Sequence, residues 1–455
     1  MKLNGLTANA IRLGHIFVAL AFLAAPMVAQ QDASVQANIP APAHYTIIDL
    51  GTLGGSFSLA YGINDNGQID GFSTLPGDTV QHSFVIEKGV MTDLGTLGGV
   101  NSESFANLNN AIQVAGTAET AVTDPNNENF CSFGTNLICL GFVWQNGIMS
   151  PLSTLGGTNG QAAAINNRGQ VAGYAETSIS DPNCPAPQVL QYRPTLWTAG
   201  HAKPLPLYAG DTEGAAFWMN NAGQVVGASG VCAPYDPRYA LPLQPRHALL
   251  WRDGKPVDLG SLGGQFQNAA FAINDRDQIV GGSDISGDTY QHAFLWQKGV
   301  MTDLGTLQGD VASAAVAINN RGQVTGVSID ASGQNLRAFL WQNGSMYDLN
   351  SLIPANSPLY LLHGFGINSS GEIVGFAVNT SSGGVHGFLA VPINAGFGGG
   401  ASARAQGGNS GGARFSLPEN ARKLLQQSLR FGRFSYEPPD PCRKESKPAS
   451  SCKTN

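Results

Sequence analysis

Charged residues are scarce in this chain: Lys, Arg, Asp and Glu together fill only 12% of its 455 positions. Set beside 58 Gly and 25 Pro, that scarcity argues against a helical protein and for an all-β chain with many turns. Long apolar runs are missing too, except at the N-terminus. There, Ile16 to Ala29 follows the basic Lys2 and Arg12, an apolar core too short to span a bilayer comfortably. It reads as an export signal over residues 1–29, removed to leave a linker at 30–44 and no transmembrane span. Cysteine is rare. The six fall as Cys131 with Cys139, Cys184 with Cys232, and Cys442 with Cys452, and in an exported chain each group is expected to pair locally. No His stands near them at zinc-like spacing, so they make a poor metal site. Basic residues are few in the body: residues 13–400 carry a net charge of −15, whereas 401–455 carry +6. An acidic body argues against nucleic acid as a partner.

What the chain has in excess is repetition. The stretch Ile165-Asn166-Asn167-Arg168-Gly169-Gln170-Val171-Ala172-Gly173 returns as near-copies starting at Ile63, Met219, Ile318 and Ile367. Its first Asn recurs at Asn64, Asn109, Asn166, Asn220, Asn274, Asn319 and Asn368, 45 to 57 residues apart, the range of a four-stranded propeller blade. Three other signals keep the same phase. Strand a is apolar, as in His292-Ala293-Phe294-Leu295-Trp296. Strand b ends in Asp-Leu-Gly or a relative, as at Asp303. Strands c and d flank the Asn motif. Asn at the first position of a type I turn caps it with its side chain, and the Gly three residues later supplies the positive φ. That Gly is replaced once by Asp277 and once by Ile112, which is expected to make the second turn irregular. Seven-fold use of the motif therefore points to hairpin building, not to a ligand.

The chain enters the repeats at a b strand, Tyr45 to Asp49, and leaves after an a strand, His386 to Val391. These ends complement each other and close a ring. A parallel β-helix, the other repeat architecture considered, has shorter rungs and no need of complementary ends. The expectation is an all-β seven-bladed β-propeller of four-stranded antiparallel blades over residues 45–392.

Together, the Asp-Leu-Gly, Asn-x-x-Gly-Gln and His-Ala-Phe-Leu-Trp elements between Tyr45 and Pro392 resemble the HAF-type extracellular repeat family. The resemblance implies a bacterial, exported protein and brings no established activity with it.

In such a blade the a–b and c–d turns share one face, and the b–c loops share the other with the links from d to the next a. Three consecutive d-to-a links carry long insertions, beginning at Thr117, Tyr174 and Ala228. Long loops on a rigid ring are where binding residues gather. Residues that repeat from blade to blade are scaffold candidates: Asp93, Asp258, Asp303 and Asp348 beside Gly-rich turns, and Trp144, Trp197, Trp251, Trp296 and Trp341 between blades. Residues used once are the site candidates. In the insertions these are Phe130, Tyr192, Tyr235, Asp236, Arg238 and Tyr239; in the b–c loops they are Glu103, Asp211 and Glu213. Exposed rings beside polar groups would suit a carbohydrate, stacking on sugar C–H faces while polar groups bond hydroxyls. The competing reading is that the rings pack the insertions onto each other. Asp124, Asn126 and Glu128 place oxygens at alternate positions, as calcium loops do, or form an ordinary Asp-Pro-Asn turn. No other cofactor is implied.

Two catalytic look-alikes fail on context. Gly408 to Gly412 matches Gly-x-Ser-x-Gly and Gly396 to Ala401 a dinucleotide loop, but both lie in a Gly-rich linker without the required strand and helix. Residues 393–415 form that linker, and 416–455 a basic tail. A short amphipathic helix starts at Ser416, with Leu417, Ala421, Leu424 and Leu425 on one face. It is expected to dock on the acidic propeller or to contact anionic surfaces. The favoured reading is a secreted or envelope-associated propeller that acts as a binding module for polysaccharide or another envelope component, ahead of an enzyme. The alternatives are an extracellular carbohydrate-active hydrolase or lyase using Asp211, Glu213 or Asp310, and an adhesion module with a surface-protein partner.

Overall fold

The computed structural model describes residues 42–105, 107–236 and 241–393, together with Leu417, Pro418, Ala421 and Arg422. The expected signal segment, most of both linkers, Cys442 and Cys452 lie outside the described residues. Twenty-eight strands form seven four-stranded antiparallel sheets, the seven-bladed propeller anticipated from strand counting. Each blade runs c, d, a, b outward from the axis. In the first these are β2 (Ser58–Ile63), β3 (Ile69–Thr74), β4 (Gln81–Glu87) and β5 (Val90–Asp93). The ring closes through β1 (Tyr45–Asp49), which pairs with β28 (Val385–Pro392), Tyr45 opposite Pro392 and Asp49 opposite Phe388. The N-terminal b strand thus completes a blade whose other three strands come from the far end of the repeats, leaving no open edge at the seam.

Seven apolar clusters fill the seven interfaces between blades. Between the third and fourth, for example, Ala164, Ala172, Ala216, Met219, Leu249 and Trp251 pack together. The strand-a Trp residues sit here as expected, and Trp197 and Trp251 also donate their indole N–H to the carbonyls of Ser153 and Pro206 in the preceding blade's outer connection, at 2.8 and 2.7 Å. An eighth cluster fills the axis with rings. Tyr61 stacks on Phe365 at 4.2 Å and meets Phe105 edge-on at 5.0 Å, and His363 stacks on Phe365 at 4.0 Å. Burial holds the His363 imidazole neutral, with its pKa lowered to about 3. Leu417 and Ala421 of the tail are buried in this same cluster, and Arg422 N donates to Pro418 O at 3.0 Å, a helical bond. The described part of the tail is therefore docked on the propeller.

The repeated motif has four physical tasks. Its Asn caps the c–d turn: Asn166 Oδ1 accepts from the amides of Arg168 and Gln170, at 3.0 and 3.1 Å. Its Nδ2 group does something that spacing could not reveal. Asn64 donates to the carbonyl of Asn109, Asn109 to Asn166, and so on through Asn220, Asn274, Asn319 and Asn368, which donates back to Asn64 at 3.2 Å. Seven side chains make one closed circle of hydrogen bonds around the axis, each latching a blade to the next. The turn Gly supplies positive φ, +71° at Gly169. The last Gly of the motif acts by its lack of a side chain. A Cβ on Gly173 would overlap the carbonyl oxygen of Gln161, because a bulge between Ala162 and Ala164 swings the inner strand over it.

The second turn corrects an expectation. Ile112 adopts φ +58°, and its turn keeps the same bonds as the others, Ile112 N to Asn109 O and Gln113 N to Asn109 Oδ1. The Asn cap and the latch hold the turn, so the left-handed strain is borne by Ile112. The irregularity lies upstream, where the inner strand β6 (Gly98–Glu103) stops well short of the turn.

Candidate functional site

The three insertions lengthen the d and a strands of blades two to four. They are β7 (Val114–Thr123) with β8 (Leu137–Gln145), β11 (Val171–Ser180) with β12 (Leu190–Thr198), and β15 (Val225–Asp236) with β16 (Leu241–Arg252). Two disulfides staple them, Cys131–Cys139 within the first and Cys184–Cys232 between the second and third. Such bonds form and persist in an oxidising environment. No helix among the described residues is long and apolar enough to cross a membrane. Converting Cys184 and Cys232 to Ser is expected to cost about 4 kcal/mol, the loop-closure value for their separation of 48 residues. Urea unfolding of the double variant measures it.

Buried carboxylates bolt the first insertion to the second. Asp124 Oδ1 caps its own turn through the amides of Asn126 and Glu128, at 2.8 and 3.1 Å, while Oδ2 accepts from Thr158 Oγ1 and Asn159 Nδ2. Glu128 Oε1 accepts from the amides of Val189 and Leu190, at 2.6 and 2.8 Å. The Asp-Pro-Asn turn is thus present, and these oxygens are engaged with N–H and O–H donors. Glu176, beneath both, accepts from Asn159 and Gln188; burial, and then the charge of Glu128, pushes its pKa up to about 7.

The rings are not where carbohydrate stacking would need them. Tyr192 is 0% exposed and Phe130 8%, and both pack with Tyr174, ring centroids 5.6 to 6.3 Å apart. The expectation of exposed rings at these two positions is corrected: the insertions fold across the end of the axial cluster, and the rings fill the space beneath them. Glu103 is buried and accepts from Gln81 Nε2 at 3.0 Å. Asp211 pairs with His247 Nδ1 at 2.8 Å and accepts from Ser229; Asp310 pairs with Arg337 at 2.8 Å. Glu103 is thus bonded across a blade interface, and Asp211 and Asp310 are each bonded to side chains of a separate blade. Tyr235 and Asp236 belong to strand β15; Arg238 and Tyr239 lie outside the described residues.

Glu213 has the most altered chemistry. It is fully buried, its Oε2 accepts from Tyr192 N at 2.7 Å, and burial together with the neighbouring Asp181 raises its pKa to about 9. Carboxylate oxygens of Glu213 and Asp181 lie within 4.8 Å of each other and of Cys184 Sγ, the one metal-ligand-like group among the described residues. That sulfur is committed to its disulfide. Glu213 Oε1 and Asp181 Oδ2 otherwise lack partners, and a single proton on the pair supplies the missing donor. With one proton between them the pair carries a single negative charge, and Glu213, whose pKa is raised, is its acid. Nothing in the spacing of Asp181 and Glu213 announced it.

A second arrangement could have been read from phase. The recurring His of strand a meets the Asp ending strand b: His82 with Asp93, His292 with Asp303, and His386 with Asp49, at 2.9 to 3.0 Å. Each Asp also caps its Gly turn, as Asp303 does through Gly305 N at 2.7 Å. Although partial burial opposes it, these bonds hold Asp49 and Asp303 below the ordinary carboxylate range. Their repetition marks scaffold.

Large apolar side chains that face solvent on this side include Val122 and Ile179, each 58% exposed at equivalent places in the first two insertions, Val100 at the start of β6, 42% exposed, and Tyr208 and Phe266, each 37% exposed, on b–c loops of the neighbouring sector.

No protein-family model matches the chain, and no curated protein does. Among solved structures, the β-propeller domain of the trilobed protease from Pyrococcus furiosus is similar over 72% of this chain and 93% of its own, at 10% identity and a TM-score of 0.43. A gluconolactonase from Xanthomonas campestris aligns over 66% and 91%, at 11% identity and 0.33. The Trypanosoma rangeli sialidase aligns over 77% and 55%, at 8% identity and 0.33. At these identities the likeness concerns the fold alone.

Proposed function

We propose that this protein is a secreted or surface-associated propeller of the HAF-repeat type that binds a polysaccharide or other envelope component on its insertion-bearing face. One observation carries the reading. Three insertions are held rigid by a disulfide and buried carboxylate bonds, and on that platform Val122 and Ile179 are kept in water instead of being packed away. Apolar groups exposed on a rigid polar frame mark interaction surfaces, and preorganised loops lose little entropy on binding. A polymer lying along the sector would also meet Tyr208 and Phe266. Sedimentation of the full chain with insoluble envelope polysaccharides tests this. Val122→Asp with Ile179→Asp is expected to weaken binding at least about tenfold, the equivalent of about 1.4 kcal/mol, without lowering the melting temperature. Unchanged binding in the double variant would sink the reading.

A hydrolase or lyase is the second reading, favoured by the protonated Glu213 beside Asp181, since a general acid must keep its proton near pH 7. Both residues are buried beneath the insertions, so turnover would require those to lift. Release of reducing ends from the same polymers, abolished by Glu213→Gln, would move the function to this reading.

A further inference from the structure

The face opposite the insertions carries a cavity that the scaffold does not need. It opens on the axis, holds about 140 Å³, and is lined by residues from all seven c–d turns. The residue after each latch Asn forms its rim, and the two sides of that rim differ. On one side Asn221, Asp275 and Asn320 satisfy one another. Both amides donate to Asp275 Oδ2, at 3.1 and 3.2 Å, and Asp275 Oδ1 accepts from Asn221 N. On the other side the polar atoms are oriented but not consumed. Asp65 Oδ1 accepts from Ser369 N and Asn167 Oδ1 from Asn110 N, at 2.9 Å each. That leaves Asp65 Oδ2, Asn167 Nδ2, the Asn110 side-chain amide and the Ser369 hydroxyl, on four successive blades, free to bond a guest.

We infer that this half-rim is a binding site for a polyhydroxylated ligand the size of one sugar residue. A hydroxyl is both donor and acceptor, and this rim offers both in alternation. Ser369 donates and accepts, Asp65 Oδ2 accepts, Asn110 does both, and Asn167 Nδ2 donates. A bare anion would face Asp65, and a bare cation would face the amide N–H groups, so neither suits the set as well. Trp218, only partly buried, lines the same cavity and offers an apolar surface to the C–H face of a ring. The axis beyond is filled by the aromatic cluster. The cup therefore takes the end of a chain or a free monosaccharide, not a segment threaded through the ring. It lies on the face opposite the insertions and stands or falls separately from the reading given above.

Saturation-transfer NMR on the full chain tests it with D-glucose, D-galactose, D-mannose and N-acetylglucosamine in calcium-free buffer. Transfer to at least one sugar is expected, with a dissociation constant of about 1 mM, typical of a few hydrogen bonds to a small ligand. Asp65→Asn keeps the bond to Ser369 N and replaces the free acceptor by a donor. It and Asn167→Asp, which likewise keeps the bond to Asn110 N and turns the free donor into an acceptor, should each weaken binding about tenfold and leave the melting temperature unchanged, because both residues are exposed. Absence of transfer to all four sugars overturns the proposal. So does binding that survives both variants but is lost in the Val122→Asp, Ile179→Asp protein, which would move the sugar to the insertion face. Calcium binding abolished by Asp65→Asn, with no sugar bound, would make the cup a cation site and overturn it equally.

Discussion

Gly281→Ala should destabilise the propeller by at least about 3 kcal/mol, the upper end for inserting one methyl group into a packed core. A Cβ there would overlap the carbonyl oxygen of Ala269 and stand 2.8 Å from the Phe294 ring, and neither backbone nor a buried ring can move aside cheaply. The same overlap with the inner strand's carbonyl recurs at Gly71, Gly173, Gly227, Gly326 and Gly375, so it belongs to the blade and not to one site. Gly322→Ala is the internal control. That residue is a turn Gly with φ +78°, and an added Cβ would meet nothing closer than 3.5 Å. Only the left-handed backbone is penalised, by about 1 kcal/mol, and Asp277 already occupies the equivalent place at φ +59°. Urea unfolding of the two variants side by side checks both values. Equal losses would show that backbone conformation, not crowding, explains the last Gly of the motif.

The second large effect is on pH. Three buried carboxyls have raised pKa values: Asp70 and Glu176 about 7, and Glu213 about 9, burial being the leading cause for each. Folded, they keep protons that the unfolded chain releases above about pH 4. Stability from this source is therefore fullest below the unfolded values and falls as pH rises toward the folded ones, by about 1.4 kcal/mol per pH unit for each group. His363 acts in the opposite sense. Its lowered value means the unfolded chain takes up a proton that the folded one refuses, so it offsets one carboxyl between about pH 3 and 6.5. The balance favours acid. Between pH 5 and 9 unfolding free energy should drop on the order of 5 kcal/mol or more, and above pH 7 the remaining slope should be that of Glu213 alone. At the acid end Asp49, Asp78, Asp303 and Asp330, whose pKa values are lowered, lose their bonds as pH falls below the ordinary carboxylate range. The optimum is expected near pH 5. Glu213→Gln retains a donor to Asp181 and should flatten the curve above pH 7. An unchanged slope there would show that the pair does not hold the proton.

Much of the architecture was legible because its signals are local and repeated. The capping Asn and the turn Gly act within five residues, so each copy declares its own hairpin. The complementary terminal strands declare closure, which Tyr45 opposite Pro392 realises. Cys131 with Cys139 and Cys184 with Cys232 pair as their grouping suggested. The candidate site was less legible. Phe130 and Tyr192 stood out as single-use aromatics, but whether a ring on a loop faces water or core depends on what the other insertions cover. Asp211 and Asp310 looked like free acids until folding set His247 and Arg337 beside them.

By itself the sequence determined the blade, the count of seven, the closing strand and the face that carries the insertions, since periodic short-range chemistry specifies each. Only the tertiary structure decided how the repeats act on one another. The circle of Asn latches, the crowding over the last Gly of the motif, the proton shared by Asp181 and Glu213 and the unequal rim of the axial cup all join residues from separate strands or blades. No linear spacing encodes such encounters. They arise where the ring, once closed, brings its seven copies to a common axis.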